Sequence, residues 1–155
     1  EAYSSHEYNL ADMGYGFSQI LPILAQVWIQ LHFGYRAPSD SPIVALEQPE
    51  LHLHPALQAS LADAFVSAIY RLSGANNWEK TGLRIVLETH SDALISRLGE
   101  LISEGSLNSD DVAIYVFDRE IDDDCTEVIQ AYFDSEGRLR NWPFGFFSRS
   151  SHGLN

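Results

Sequence analysis

Residues 43–55 read IVALEQPELHLHP. Four apolar residues, Ile43 to Leu46, run into Glu47, Gln48, Pro49 and Glu50, and two histidines, His52 and His54, precede Pro55. Four residues are too few for a helix, so IVAL reads as a buried strand. Pro55 suits a first helical turn, and Leu57, Leu61, Ala64, Phe65, Ala68, Ile69 and Leu72 fall on one face, which predicts a helix over 55–73. The segment is a strand, a polar turn and a helix start. Three readings of the turn stand open: a catalytic group delivered to a phosphate site, a metal-ligand cluster, or a strand that has simply reached solvent.

The same pattern recurs on either side. Downstream, LRIVLETH predicts a second buried strand over 83–88, and Ser91 is a candidate N-cap for an amphipathic helix running to about Glu104. Upstream, Ile20, Leu21, Leu24, Val27, Trp28 and Leu31 have helical spacing in a segment that ends near Gly34. APSDSP is a loop by its proline and serine content, and GANNWEKTG reads as a surface loop. DVAIYVFD and TEVIQAYFD alternate like half-buried strands around the tight acidic turn REIDDDC, which predicts an antiparallel hairpin. The expected fold is α/β: a mainly parallel sheet flanked by helices, with an antiparallel edge hairpin. Ligands of such sheets bind beyond the carboxyl ends of the strands. EQPE and ETHSD both sit at such ends.

With 155 residues, 45% of them hydrophobic and 12% aromatic, the chain is the size of one domain and can bury a core. Nine basic against 22 acidic residues leave a formal charge of −13, which argues against a free-standing nucleic-acid binder. DNA contact, where there is any, is expected through another part of a larger protein. A single cysteine, Cys125, excludes an internal disulfide and fits a reducing compartment. No signal peptide is visible, and the longest apolar run, Ile20 to Phe33, is too short and too interrupted to span a bilayer, so the expectation is a cytoplasmic protein with no membrane partner. Met13 is the only methionine. A native start at Glu1 is therefore not expected, and the chain reads as a piece of something longer.

Each candidate site has a plainer reading beside it. A buried strand ending in carboxylates is how nucleoside triphosphatases hold magnesium and orient water; it is also how any core strand leaves a sheet. Glu47 suits the magnesium shell. Gln48 stands where a catalytic carboxylate is expected, and an amide can position a water but cannot take its proton. His52 and His54 are two apart with no cysteine or H-E-x-x-H pattern, so they read as part of the turn rather than as zinc ligands. His90 follows a strand and precedes a helix, where an anion is favoured. Gly14 and Gly16 open the first helix and offer backbone amides to a phosphate, although two glycines alone mean only a flexible entry. The run Asp122, Asp123, Asp124 suggests a metal-dependent nuclease less than a solvated turn.

Taken in order, NLADMGYGFSQILP (9–22), EQPELHLHP (47–55), ETHS (88–91) and WPFGFF (142–147) are far more specific than any one of them. They resemble the C-terminal half of an ABC-type ATPase head of the SMC-like and OLD-like kind. The likeness is closer still to a group of predicted prokaryotic AAA ATPases that end in W-P-x-G-F-F. The resemblance spans Asn9 to Phe147.

It implies that residues 1–155 are the C-terminal part of a P-loop NTPase domain, with ATP and Mg2+ as cofactors. Gly14, Gly16 and Ser18 fall in the signature segment, which in such heads reaches across a dimer interface to the γ-phosphate of the partner's ATP. Glu47 falls near magnesium, directly or through water, Gln48 at the water-orienting position, ELHLHP at the D-loop, and His90 at the switch histidine. The implied protein is an ATPase that dimerises around ATP and drives a nuclease or other effector in DNA repair or anti-phage defence. The alternative is a catalytically degenerate dimerisation module. Three departures matter. No G-x-x-x-x-G-K-[ST] occurs, so the implied first partner is an N-terminal, P-loop-bearing half, without which the chain alone is expected to be inactive. Ser18 is displaced from the glycines. Gln48 replaces the usual glutamate, leaving Glu50 or Glu88 as substitutes, or ATP-driven dimerisation as the main event.

Overall fold

A computed structural model describes residues 15–33, 41–72, 78–118 and 125–143. It divides into two compact units, Glu1–Ser91 and Asp92–Asn155.

The first unit runs α1 (Tyr15–Phe33), β1 (Ile43–Glu47), α2 (Pro55–Ile69), β2 (Tyr70–Leu72), β3 (Trp78–Lys80) and β4 (Arg84–Glu88). β1 and β4 pair in parallel, in register from Ile43 with Arg84 to Glu47 with Glu88. A parallel pair needs a long crossover, and α2 lies within it. Leu61, Ala62, Phe65, Val66 and Ala68 of α2 are buried at the three- and four-residue spacing of one helix face. With Val44, Leu53, Leu83 and Val27 of α1 they form the core. Each large side chain so buried contributes roughly 1.5–3 kcal/mol. The buried-strand expectation holds for one face only. On the other, Ile43 and Val86 remain 58% and 59% exposed.

The helix expected over 55–73 stops at Ile69, and Leu72 lies in β2 instead of on its apolar face. The cause is Thr81. Its hydroxyl donates to the carbonyls of Ala68 and Ile69, and its amide donates to Ile69 O, so the returning chain satisfies carbonyls that a further helical turn would otherwise have used. Part of the expected GANNWEKTG loop is accordingly β3, paired antiparallel with β2 from Tyr70–Lys80 to Leu72–Trp78.

The second unit holds α3 (Asp92–Ser103), a 3-10 turn (Ser109–Asp111), β5 (Ile114–Asp118), β6 (Glu127–Phe133) and β7 (Leu139–Arg140). The expected hairpin is present as β5 and β6, and β7 extends it to a three-stranded antiparallel sheet. Val116, Ala131 and Phe133 are buried, whereas Tyr115, Phe117, Val128 and Tyr132 are exposed, the period of two of a half-covered sheet. The fold class is therefore α/β: the described residues hold one parallel and two antiparallel sheets together with helices. The acidic run 122–124 lies outside the described residues, as does most of WPFGFF. No described helix is long and apolar enough to cross a membrane.

Candidate functional site

The carboxyl ends of β1 and β4 meet in register, which puts Glu47 beside Glu88, both exposed. One residue later the Gln48 amide donates to Glu88 O at 2.9 Å, so the pairing outlasts the strand. The chain then reverses. Gln48 has φ 44° and His52 has φ 63°, and neither is glycine. A left-handed conformation costs an L-residue about 1–2 kcal/mol. The turn persists because its backbone is bonded on itself, Leu51 N to Gln48 O and Leu53 N to Glu50 O, both at 3.1 Å. His54 caps α2: its Nδ1 accepts from Ala56 N at 3.3 Å, and Pro55 takes the first helical position. That use of His54 matches the turn reading of the two histidines. Among the described residues no three histidine, cysteine or acidic side chains gather as a metal cluster.

Glu50 lies inside this turn and is 6% exposed. Its Oε1 accepts from the backbone N–H of His90 at 2.7 Å, across 40 residues of sequence. Its Oε2 is buried with no hydrogen-bond partner among the described residues. Leaving a buried acceptor unsatisfied costs on the order of 1–3 kcal/mol. Gln58, one turn into α2, makes a second tie. Its Nε2 donates to Leu53 O at 3.0 Å and more distantly to Glu50 O at 3.4 Å, while its Oε1 accepts from Ser91 Oγ at 2.6 Å. Within the receiving loop, Ser91 N donates to Thr89 Oγ1 at 3.1 Å. The loop over 89–91 is thus pinned by three side-chain hydrogen bonds, while His90 itself is exposed.

The expected site residues are placed as follows. Glu47 and Gln48 end β1, and His90 stands on the loop after β4 that Glu50 holds. Gly16, in the first turn of α1, is near the same turn: a Cβ there would come 3.2 Å from the Leu53 side chain. Ser18 is exposed on α1, and Gly14 lies outside the described residues. Glu47 and Glu88 offer oxygen donors from adjacent strand ends. Magnesium is held by one or two carboxylates together with substrate phosphates, so this donor set fits that ion.

Sequence reasoning named Glu50 only as a substitute base and overlooked Gln58. A signal for Gln58 was present. It stands three and four residues before Leu61 and Ala62, a polar side chain in line with the apolar stripe.

Residues 4–96 match the model of a family described as "AAA domain, putative AbiEii toxin, Type IV TA system". Residues 107–151 match a family described as a protein of unknown function, DUF3696. Comparison with curated proteins and with solved structures gives no match.

Proposed function

The chain belongs to the AAA domain family that its residues 4–96 match, and from that premise we propose that it is the part of an ABC-type ATPase head that closes on magnesium-ATP. The AAA ATPase-like region takes in α1, both parallel strands and the loop of His90. In this reading ATP joins two heads, SMC-like or OLD-like in manner, and its hydrolysis or release parts them to drive a nuclease or other effector. The family's description names a toxin of a Type IV TA system, which favours defence over DNA repair as the setting.

The observation that carries the reading is the junction of β1 and β4. Two parallel strands end in register on Glu47 and Glu88, and the segment after each is bonded to the other. Ligands of open α/β sheets bind at such ends. Magnesium, when bound with ATP, neutralises charge on the phosphates. Glu47 would hold it, with Glu88 beside it. Gln48 orients a water through its amide, and His90 presents its ring to the terminal phosphate. Gly14, Gly16 and Ser18 serve the partner head's nucleotide. The P-loop comes from an N-terminal half of the same domain, whose packing would cover the open face marked by Ile43 and Val86.

One residue favours the second reading, a degenerate head that binds ATP without turning it over. Gln48 cannot accept a proton at neutral pH. The same experiment addresses both. In the intact protein, His90→Ala is expected to lower ATP turnover about 100-fold, the scale of losing one transition-state donor. Gln48→Glu is expected to preserve or raise turnover. A wild-type protein that binds ATP tightly but turns over only after Gln48→Glu would establish the degenerate reading. Turnover unchanged in both variants would remove Gln48 and His90 from the mechanism.

A further inference from the structure

We infer that Glu50 is the positioning residue of His90: its buried carboxylate fixes the loop from which that histidine works to the turn that follows β1. The inference takes its purpose from the ATP-site reading and its geometry from elsewhere. His90 is an exposed residue, yet its backbone N–H is held from 40 residues away by the carboxylate of buried Glu50. The arrangement is also costly to keep, since Oε2 is buried with no hydrogen-bond partner among the described residues. A side chain retained under those terms is one whose placement matters.

Two further features point the same way. Gln58 reaches the adjacent Ser91 from the same side, so turn and loop are joined twice, through neighbouring residues. The turn that carries Glu50 is flanked by left-handed Gln48 and His52, which hold it in one shape rather than several. The turn and the His90 loop are thus fixed to one another in the structure. A histidine that must meet a phosphate at hydrogen-bond distance gains from that, because small misplacements of a catalytic group cost large factors in rate.

The test uses the full chain, labelled with nitrogen-15, and measures amide exchange at His90 with the Gln48 amide as internal reference. Glu50→Ala is expected to speed exchange at His90 about tenfold or more, the scale of losing a hydrogen bond to a charged acceptor, with Gln48 unmoved. Glu50→Gln keeps an acceptor oxygen and is expected to retain the protection. Unchanged protection of His90 in Glu50→Ala overturns the inference. So does loss of protection at Gln48 and His90 alike in both variants, which would make Glu50 a general support of the fold. Should Glu50→Ala fail to fold, the unaltered chain still decides the matter: coupling across the hydrogen bond from the His90 amide to the Glu50 carboxylate is expected, and its absence overturns the inference. In the intact protein Glu50→Ala is expected to lower kcat while KM holds, since an interaction made only on the way to the transition state is lost. If His90→Ala leaves turnover unchanged while Glu50→Ala still loosens His90, the catalytic role of His90 has failed and the positioning role stands.

Discussion

Two carboxylates in two turns, Glu50 and Asp134, have opposite habits. Asp134 spends everything nearby. Its Oδ1 accepts from the amides of Arg138 and Glu136 at 2.9 and 3.0 Å, and its Oδ2 accepts from Arg140 Nε at 2.9 Å and pairs with Arg140 Nη2 at 2.7 Å. All of these partners lie within six residues, the economy of an aspartate shaping a hairpin. Glu50 reaches 40 residues away with one oxygen, and its other oxygen is buried with no hydrogen-bond partner among the described residues. Left-handed residues stand on both sides of it. A turn that is local and fully satisfied serves the fold, whereas one that is long-range, strained and half satisfied serves something beyond it.

The largest expected effect tests the structural half of that contrast. Gly137, in the Asp134 turn, has φ 73°, and a Cβ there would overlap the carbonyl of Gly99 in α3. Backbone cannot step aside as a side chain can. Gly137→Ala combines a left-handed penalty with overpacking and should cost about 3 kcal/mol, read by chemical denaturation. A cost below about 1 kcal/mol, the lower limit of overpacking alone, would mean that the turn is not closed on the helix in solution.

Gln58→Glu comes next and probes the functional half. The substitution keeps an acceptor for Ser91 Oγ but turns the amide that serves Leu53 O and Glu50 O into a carboxylate facing both carbonyls. The expected loss is about 2 kcal/mol, from a buried carbonyl deprived of its donor. A neutral result would mean that the junction of β1 and β4 is no tighter than an ordinary surface turn, and the contrast would weaken.

Most of the fold was legible because it follows from periodicity. The apolar stripe of α2, the short runs of β1 and β4 and the alternation of β5 and β6 each report a buried face. Where the reading slipped, the cause lay far off in sequence: Thr81 ends α2 from twelve and thirteen residues away, which no local pattern announces. The exposed second face of β1 and β4 was likewise invisible, since Ile43 and Val86 look like core residues and apolar character does not say what covers it. At the site, Glu47, Gln48 and His90 could be picked out from their place at strand ends. Glu50 and Gln58 act through tertiary hydrogen bonds, and only Gln58, polar on an apolar stripe, left a local trace.

The smallest effect returns to Asp134 through pH. The Arg138 amide, then the Arg140 guanidinium and the Glu136 amide, hold this carboxyl below its ordinary value of 3.8, with desolvation opposing them. The folded chain therefore keeps this group ionised to lower pH than the unfolded chain does. Between the two values the unfolded state binds more protons, so stability falls as acid is added. The turn's contribution is complete above 3.8 and is lost as pH drops through the folded value. Titrating the amide shifts of Glu136 and Arg138 from neutral pH into acid should show a midpoint below 3.8, absent in Asp134→Asn. Asparagine can still accept from both amides, so that variant should lose only the pairing with Arg140, and the shift in stability should be slight because Arg140 is exposed and Asp134 is partly open to water. A midpoint at or above 3.8 would mean that Asp134 is not held by its neighbours. Local satisfaction would then no longer separate its turn from that of Glu50, and the contrast between the two carboxylates would lose its meaning as a mark of function.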